Sequence, residues 1–181
     1  NFSRKFLEEF SNLLDGIRLS NEDVFAYIYS VLFSNKYRVR YAEFLKRDYP
    51  RIPLTENRDT FRKLAKLGHA LLNQHLNLES LSSRTKFPTS GSNIVEFIKY
   101  TDSQSTTKVG RVYINKTQYF ENVDRRVYEY KIGGHDVAQK WLKDRRGRTL
   151  SFDELKLYGR IISSLHSTLE IQQKIDESIF R

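Results

Sequence analysis

The feature that most narrows the fold is a change in the spacing of apolar residues near position 80. Before it, apolar side chains recur every three or four residues, which places them on one face of a helix. After it, short stretches alternate apolar with polar residues, which suits strands. A chain of this kind is expected to be α+β, with its helices and its sheet in separate parts of the sequence.

The first stripe holds Phe6, Leu7, Phe10, Leu13 and Leu14, and Gly16 can end that helix. Ser20 with Asp23 resembles an N-terminal cap for a second helix, whose inward stripe is Val24, Phe25, Ile28, Val31 and Leu32. A shorter third helix carries Tyr37, Tyr41, Phe44 and Leu45, and Pro50 and Pro53 stop it. Asp59 can open a fourth, with Phe61, Leu64, Ala65, Gly68, Leu71, Leu72, His75 and Leu76 facing inward. Residues 82–92 are polar, contain Pro88 and Gly91, and read as a connection. Strands are expected over residues 94–100, 109–114 and 126–132, with a hairpin-like loop at 101–108. Gly133 and Gly134 break the pattern, and residues 136–143 form a short helix. Ser151 and Glu154 have the spacing of a capping box. Leu155, Tyr158, Ile162, Leu165, Leu169, Ile175 and Ile179 then trace one stripe along a long closing helix. The expected organisation is one unit: a helical scaffold (1–80), a β-rich part with a small, mostly antiparallel sheet (81–150) and a C-terminal helix (151–181).

Catalytic and metal-binding patterns are missing. Four histidines are present, and His69 and His75 point to different sides of their helix. There is no HExxH, P-loop, GxGxxG or GxSxG. The absence of cysteine excludes disulfides and thiolate metal sites. No apolar run approaches the roughly 18 residues of a membrane span, and no signal peptide opens the chain. A cytoplasmic protein with no membrane partner is expected. The chain starts at Asn1 and contains no methionine, as expected of a piece of a longer polypeptide.

Charge supplies the positive indication. The formal net charge is +9, which favours polyanion partners. Residues 99–148 hold twelve Lys and Arg against six Asp and Glu, interleaved with Tyr113, Tyr119, Phe120, Tyr128, Tyr130 and Trp141. Lys and Arg neutralise phosphates and release counterions, while Asn, Gln and Arg can pair with base edges. The candidates for double-stranded DNA contact are Arg111, Lys116, Arg125, Arg126, Lys131, Lys143, Arg145, Arg146 and Arg148, with Asn115, Gln118 and Tyr119 as further base or backbone contacts. The Gly133–Gly134 turn before a helix is expected to offer amides to a phosphate. Trp141, Val137 and Tyr130 read as core.

The same residues carry a resemblance. The strings Asn115-Lys116-Thr117-Gln118-Tyr119-Phe120, Tyr130-Lys131-Ile132-Gly133-Gly134 and Lys140-Trp141-Leu142-Lys143-Asp144-Arg145-Arg146-Gly147-Arg148 resemble the C-terminal specificity domain of type ISP restriction-modification enzymes. The segments around residues 23–29, 41–53 and 149–158 look like the same domain. The resemblance implies sequence-specific DNA target recognition within a polypeptide that also carries an N6-adenine methyltransferase, a nuclease and a translocase. It implies S-adenosylmethionine for that parent, and the parent's methyltransferase domain as a partner. This chain lacks an NPPY-type motif and a Gly-rich cofactor loop, so neither catalysis nor a cofactor is expected of it alone. Where the family often has tyrosine after the Gly-Gly pair, this chain has His135. Recognition domains differ where they touch bases, so the loop at 101–108 and the flanks of Asn115 are the expected readers. Two other readings stay open. One is a helical protein–protein docking module without base readout; the other, less supported, is a small hydrolase.

Overall fold

A computed structural model describes residues 2–102 and 109–180. The expected α+β architecture is present. The chain forms two compact units, Asn1–Leu76 with Thr168–Arg181, and Asn77–Ser167. The first division falls between Leu76 and Asn77, at the end of the helix Arg58–Leu76. The closing helix, however, is shared between the units.

The first unit is helical. It comprises α1 (Arg4–Leu13), α2 (Asn21–Phe33), α3 (Asn35–Arg40), α4 (Ala42–Leu45) and α5 (Arg58–Leu76), together with the last part of α8 (Phe152–Ser178). Ser20 caps α2 as expected, its hydroxyl accepting from the Asp23 amide at 3.0 Å. Ser34 ends α2 and also caps α3, accepting from the Tyr37 amide while donating to Asp176 on α8. The expected third helix is thus two pieces, α3 and α4, joined at Tyr41. Phe10, Tyr27 and Phe61 pack ring to ring in the core, and Leu64, Leu71, Ile175 and Ile179 complete it. Helices α2 and α5 meet at Gly68, where a Cβ would lie 1.9 Å from the Ala26 carbonyl oxygen. Phe25, expected inside, is half exposed and stacks on Tyr29. Ala26 and Tyr27 take the buried face instead.

In the second unit, β1 (Lys99–Asp102), β2 (Val109–Tyr113) and β3 (Tyr119–Asp124) form an antiparallel sheet in that order. After it come the helical turn α6 (Arg125–Tyr128), the ribbon β4 (Lys131–Ile132) and β5 (His135–Asp136), and α7 (Val137–Lys143). Two strand expectations are corrected. The stretch expected at 94–100 forms a strand only from Lys99; Ile94 makes a single bridge to Thr149. The third strand is Tyr119–Asp124, not 126–132. Asp124 caps the following turn by accepting from the Arg126 amide at 2.8 Å, which starts helix where a strand was expected.

Within the sheet, Asn122 is the extra residue of a β-bulge opposite Gly110 and Arg111, and it adopts a φ of 64°. Gly110 lets the Tyr100 ring cross the sheet; a Cβ there would lie 2.6 Å from the ring. Tyr100 donates to the Val123 carbonyl and stacks on Tyr128. Val112, Phe120 and Val123 point inward with Leu142, Tyr158 and Ile162. The capping box forms as expected: Ser151 N donates to Glu154, and Glu154 N donates to Ser151 Oγ.

Candidate nucleic-acid interface

Residues directly opposite one another in an antiparallel pair share a face of the sheet. The register pairs Lys99 with Tyr113, Thr101 with Arg111, Arg111 with Glu121, and Tyr113 with Tyr119. These side chains therefore lie on the face away from buried Val112 and Phe120. Arg111 sits over the Tyr119 ring, 4.5 Å from its centroid, and Tyr113 packs beside Tyr119 at 5.0 Å. The guanidinium keeps its exposure while the rings fix its position. Lys116 is exposed on the turn between β2 and β3. Lys131 and His135 are exposed on the β4–β5 ribbon, and Lys131 lies 3.7 Å from Asp136.

Asn115 and Gln118 have a different part. They are 4% and 0% exposed. The Asn115 carboxamide oxygen accepts from the amides of Thr117 and Gln118, closing the turn. Its nitrogen donates to the Ile94 carbonyl and to Gln118 Oε1. Gln118 Nε2 donates to the Thr89 carbonyl and to Asn93 Oδ1, and its oxygen accepts from the Asn93 amide. Both side chains are committed inside the fold. They clamp the β2–β3 turn to residues 89–94 and are not presented to a base.

Several expected phosphate contacts are also engaged within the chain. Arg125 bonds Asp102 and Glu129 and lies over the Tyr100 ring. Arg126 forks onto Asp124. Burial raises the Asp124 carboxyl, but the Arg126 side chain and amide outweigh it and hold the pKa below the usual carboxylate range. Arg145 lies 3.6 Å from the centre of the Trp141 ring and reaches Glu154 at 3.2 Å. Arg148 shares Glu154, and Arg146 donates to the Glu96 carbonyl. Hydrogen bonds from the Ser151 amide and the arginines keep Glu154 below its ordinary value. Lys143 meets Gln139 at 3.3 Å and stays exposed.

The Gly133–Gly134 pair is not at a helix start. With φ values of 57° and 82°, it turns the two-residue β4–β5 hairpin, and α7 begins only at Val137. Most of the 101–108 loop lies outside the described residues; Thr101 and Asp102 end β1. Only part of the clamp is signalled locally: Asn-x-x-Gln marks the tight turn, whereas its partners Thr89 and Asn93 are 25 or more residues away from Gln118.

The second unit is thus an α+β module whose exposed chemistry is basic and aromatic, with no metal-ligating cluster among the described residues. The chain belongs to the type ISP C-terminal specificity domain family, which it matches over residues 1–174. Restriction-modification enzymes of that type are its context. A nuclease-deletion mutant of the type ISP enzyme LlaGI, solved with a DNA substrate mimic, is 26% identical with a TM-score of 0.64, over 86% of this chain and 14% of that one. The fold also matches the DrdV–DNA complex (20% identity, TM-score 0.76, 95% and 19% covered). It matches the ATP-dependent type ISP enzyme LlaBIII bound to DNA as well (24%, 0.67, 92% and 12%). The chain therefore spans under a fifth of each of these proteins. No curated protein matches it.

Proposed function

We propose that the chain recognises the DNA target of a type ISP restriction-modification enzyme, using the outer face of β1–β3, the β2–β3 turn and the β4–β5 ribbon. The observation that carries this is exposed Arg111 held over the Tyr119 ring with Tyr113 beside it, together with exposed Lys116 on the β2–β3 turn and exposed Lys131 on the ribbon. Among these three, Lys131 reaches one intrachain carboxylate, Asp136 at 3.7 Å, a longer and looser pair than those that hold Arg125, Arg126, Arg145 and Arg148. A two-stranded ribbon is narrow enough for the major groove, and Lys and Arg supply the phosphate charge. The DNA complex of LlaGI supports the reading by likeness.

The parent would be an adenine-specific DNA methyltransferase using S-adenosylmethionine, working in the cytoplasm, and this chain would position its methyltransferase domain. The helical unit suits docking on that domain, because Val39, Phe44 and Tyr49 are 78%, 58% and 90% exposed. Replacing Arg111, Lys116 and Lys131 together by alanine should weaken DNA binding and reduce the slope of log K against log salt by about two to three, given roughly 0.9 per phosphate contact. An unchanged affinity and slope would reject the assigned face.

A further inference from the structure

The second unit contains a groove of about 460 Å³ away from the sheet's outer face. One wall is the irregular run within residues 83–93, and the other is the first turn of α8, with Phe152, Leu155 and Lys156; Phe87 and Phe120 also line it. The run forms no regular element beyond a single bridge at Lys86, yet it is fixed at three places. The Arg84 amide donates to Ser163 Oγ at 2.8 Å. Lys86 exchanges backbone hydrogen bonds with Glu121. The Gln118 carboxamide holds Thr89 and Asn93.

Two glycines make these approaches feasible. A Cβ on Gly159 would lie 2.2 Å from Ser83 Oγ, and one on Gly91 would lie 2.7 Å from the Gln118 side chain. The wall is therefore tied in place, and the groove is part of the fold.

Its lining is selective. Phe152 is 69% exposed at a helix start, where burial gives no reason for an aromatic. Lys156 Nζ sits 4.1 Å from the centre of that ring. The lining contains one cation, several hydroxyls, including Thr89 and Ser90, and no carboxylate. A flat apolar face beside a cation and hydroxyl groups is the chemistry that receives a ring and its adjoining phosphate. The volume falls in the range of small-molecule sites.

We propose that this groove binds one nucleotide of the DNA strand, with Phe152 against the sugar or base and Lys156, Thr89 and Ser90 on the phosphate. The proposal rests on the DNA-recognition reading and adds a second contact to it. In this arrangement the buried amides of Asn115 and Gln118 serve recognition indirectly, by setting the wall.

The test is a titration of the 181-residue chain with labelled duplex and single-stranded DNA at several salt concentrations. It compares the wild type with Phe152→Ala, Phe152→Tyr, Lys156→Gln and Arg111→Ala, each checked for an unchanged melting temperature. Phe152→Ala should weaken binding by about 5- to 100-fold, as loss of one stacked base does, and Phe152→Tyr should retain it. Lys156→Gln should lower the salt slope by about one. Deoxyadenosine monophosphate, added as a competitor, distinguishes a groove that also accepts free nucleotide from one that needs the strand. If Phe152→Ala and Lys156→Gln bind like the wild type while Arg111→Ala is weakened, the groove is overturned and the sheet-face reading stands. If the wild type binds no DNA, both fall.

Discussion

At the level of single residues, burial reassigns what chemistry suggests. Asn and Gln are the residue types that read adenine, and both occur beside Lys116 and Tyr119. Their exposure decides against that use. Gln118 is fully buried and satisfies groups on three neighbours, so Gln118→Ala should cost about 2–4 kcal/mol by leaving several buried donors and acceptors unpaired. Urea denaturation would measure this, and a loss below about 1 kcal/mol, the worth of one ordinary hydrogen bond, would contradict the clamp. Tyr158 presents the reverse case. Its ring packs against Phe120 and Trp141, but its buried hydroxyl has no partner among the described residues. Tyr158→Phe removes a desolvated polar atom and keeps the packing. It should be neutral or stabilising by up to about 1 kcal/mol. A melting temperature several degrees lower would show that the hydroxyl has a structural partner.

At the level of elements, capping and ion pairing determine which cations remain available. Asp124 starts α6 and thereby converts the expected third strand into a helical turn, a choice made by one hydrogen bond to the Arg126 amide. The basic turn after α7 is similarly held from within. Gly147 donates to the Val95 carbonyl, and Arg145 is sandwiched between Trp141 and Glu154 with its side chain 23% exposed. Arg145→Ala should therefore destabilise the second unit by about 1–2 kcal/mol, through the lost ring contact and the charge-assisted bond. Arg146→Ala should have little effect on stability, since its guanidinium sits at the surface. Thermal melts of the two variants would separate these roles. Equal melting temperatures would mean that Arg145 is not a structural residue. The elements themselves were partly legible. Ser20 with Asp23, and Ser151 with Glu154, announce helix starts because the capping bonds are local. The β3–α6 boundary was not legible, because alternating Val127, Tyr128 and Tyr130 suit a strand equally well until Asp124 is placed.

For the whole molecule, the helical unit carries its own pH response. His75 bridges Tyr29 on α2 and Thr168 on α8, at 2.7 and 3.0 Å. Burial lowers its pKa below the ordinary 6.5. The unfolded chain takes up a proton near that value, whereas the folded chain resists it. Stability from neutral His75 is complete above about pH 6.5 and declines as pH falls from there through the lower folded pKa. Urea midpoints between about pH 7.5 and 5 should show this decline, and His75→Gln should flatten it. A slope equal in both proteins would assign the effect to other groups. The groove and the sheet face show how the two levels of information divide. Periodicity, caps and charge balance determined most of the helices, the α+β class and the basic character of residues 99–148, because each depends on neighbours within a few residues in sequence. Tertiary structure alone decided which of those cations stay exposed, that Asn115 and Gln118 are clamps, and that the end of α8 belongs with α1–α5. Those outcomes depend on contacts between segments far apart in sequence, such as Ser34 with Asp176 or Gln118 with Thr89, and no local pattern encodes a partner that distant.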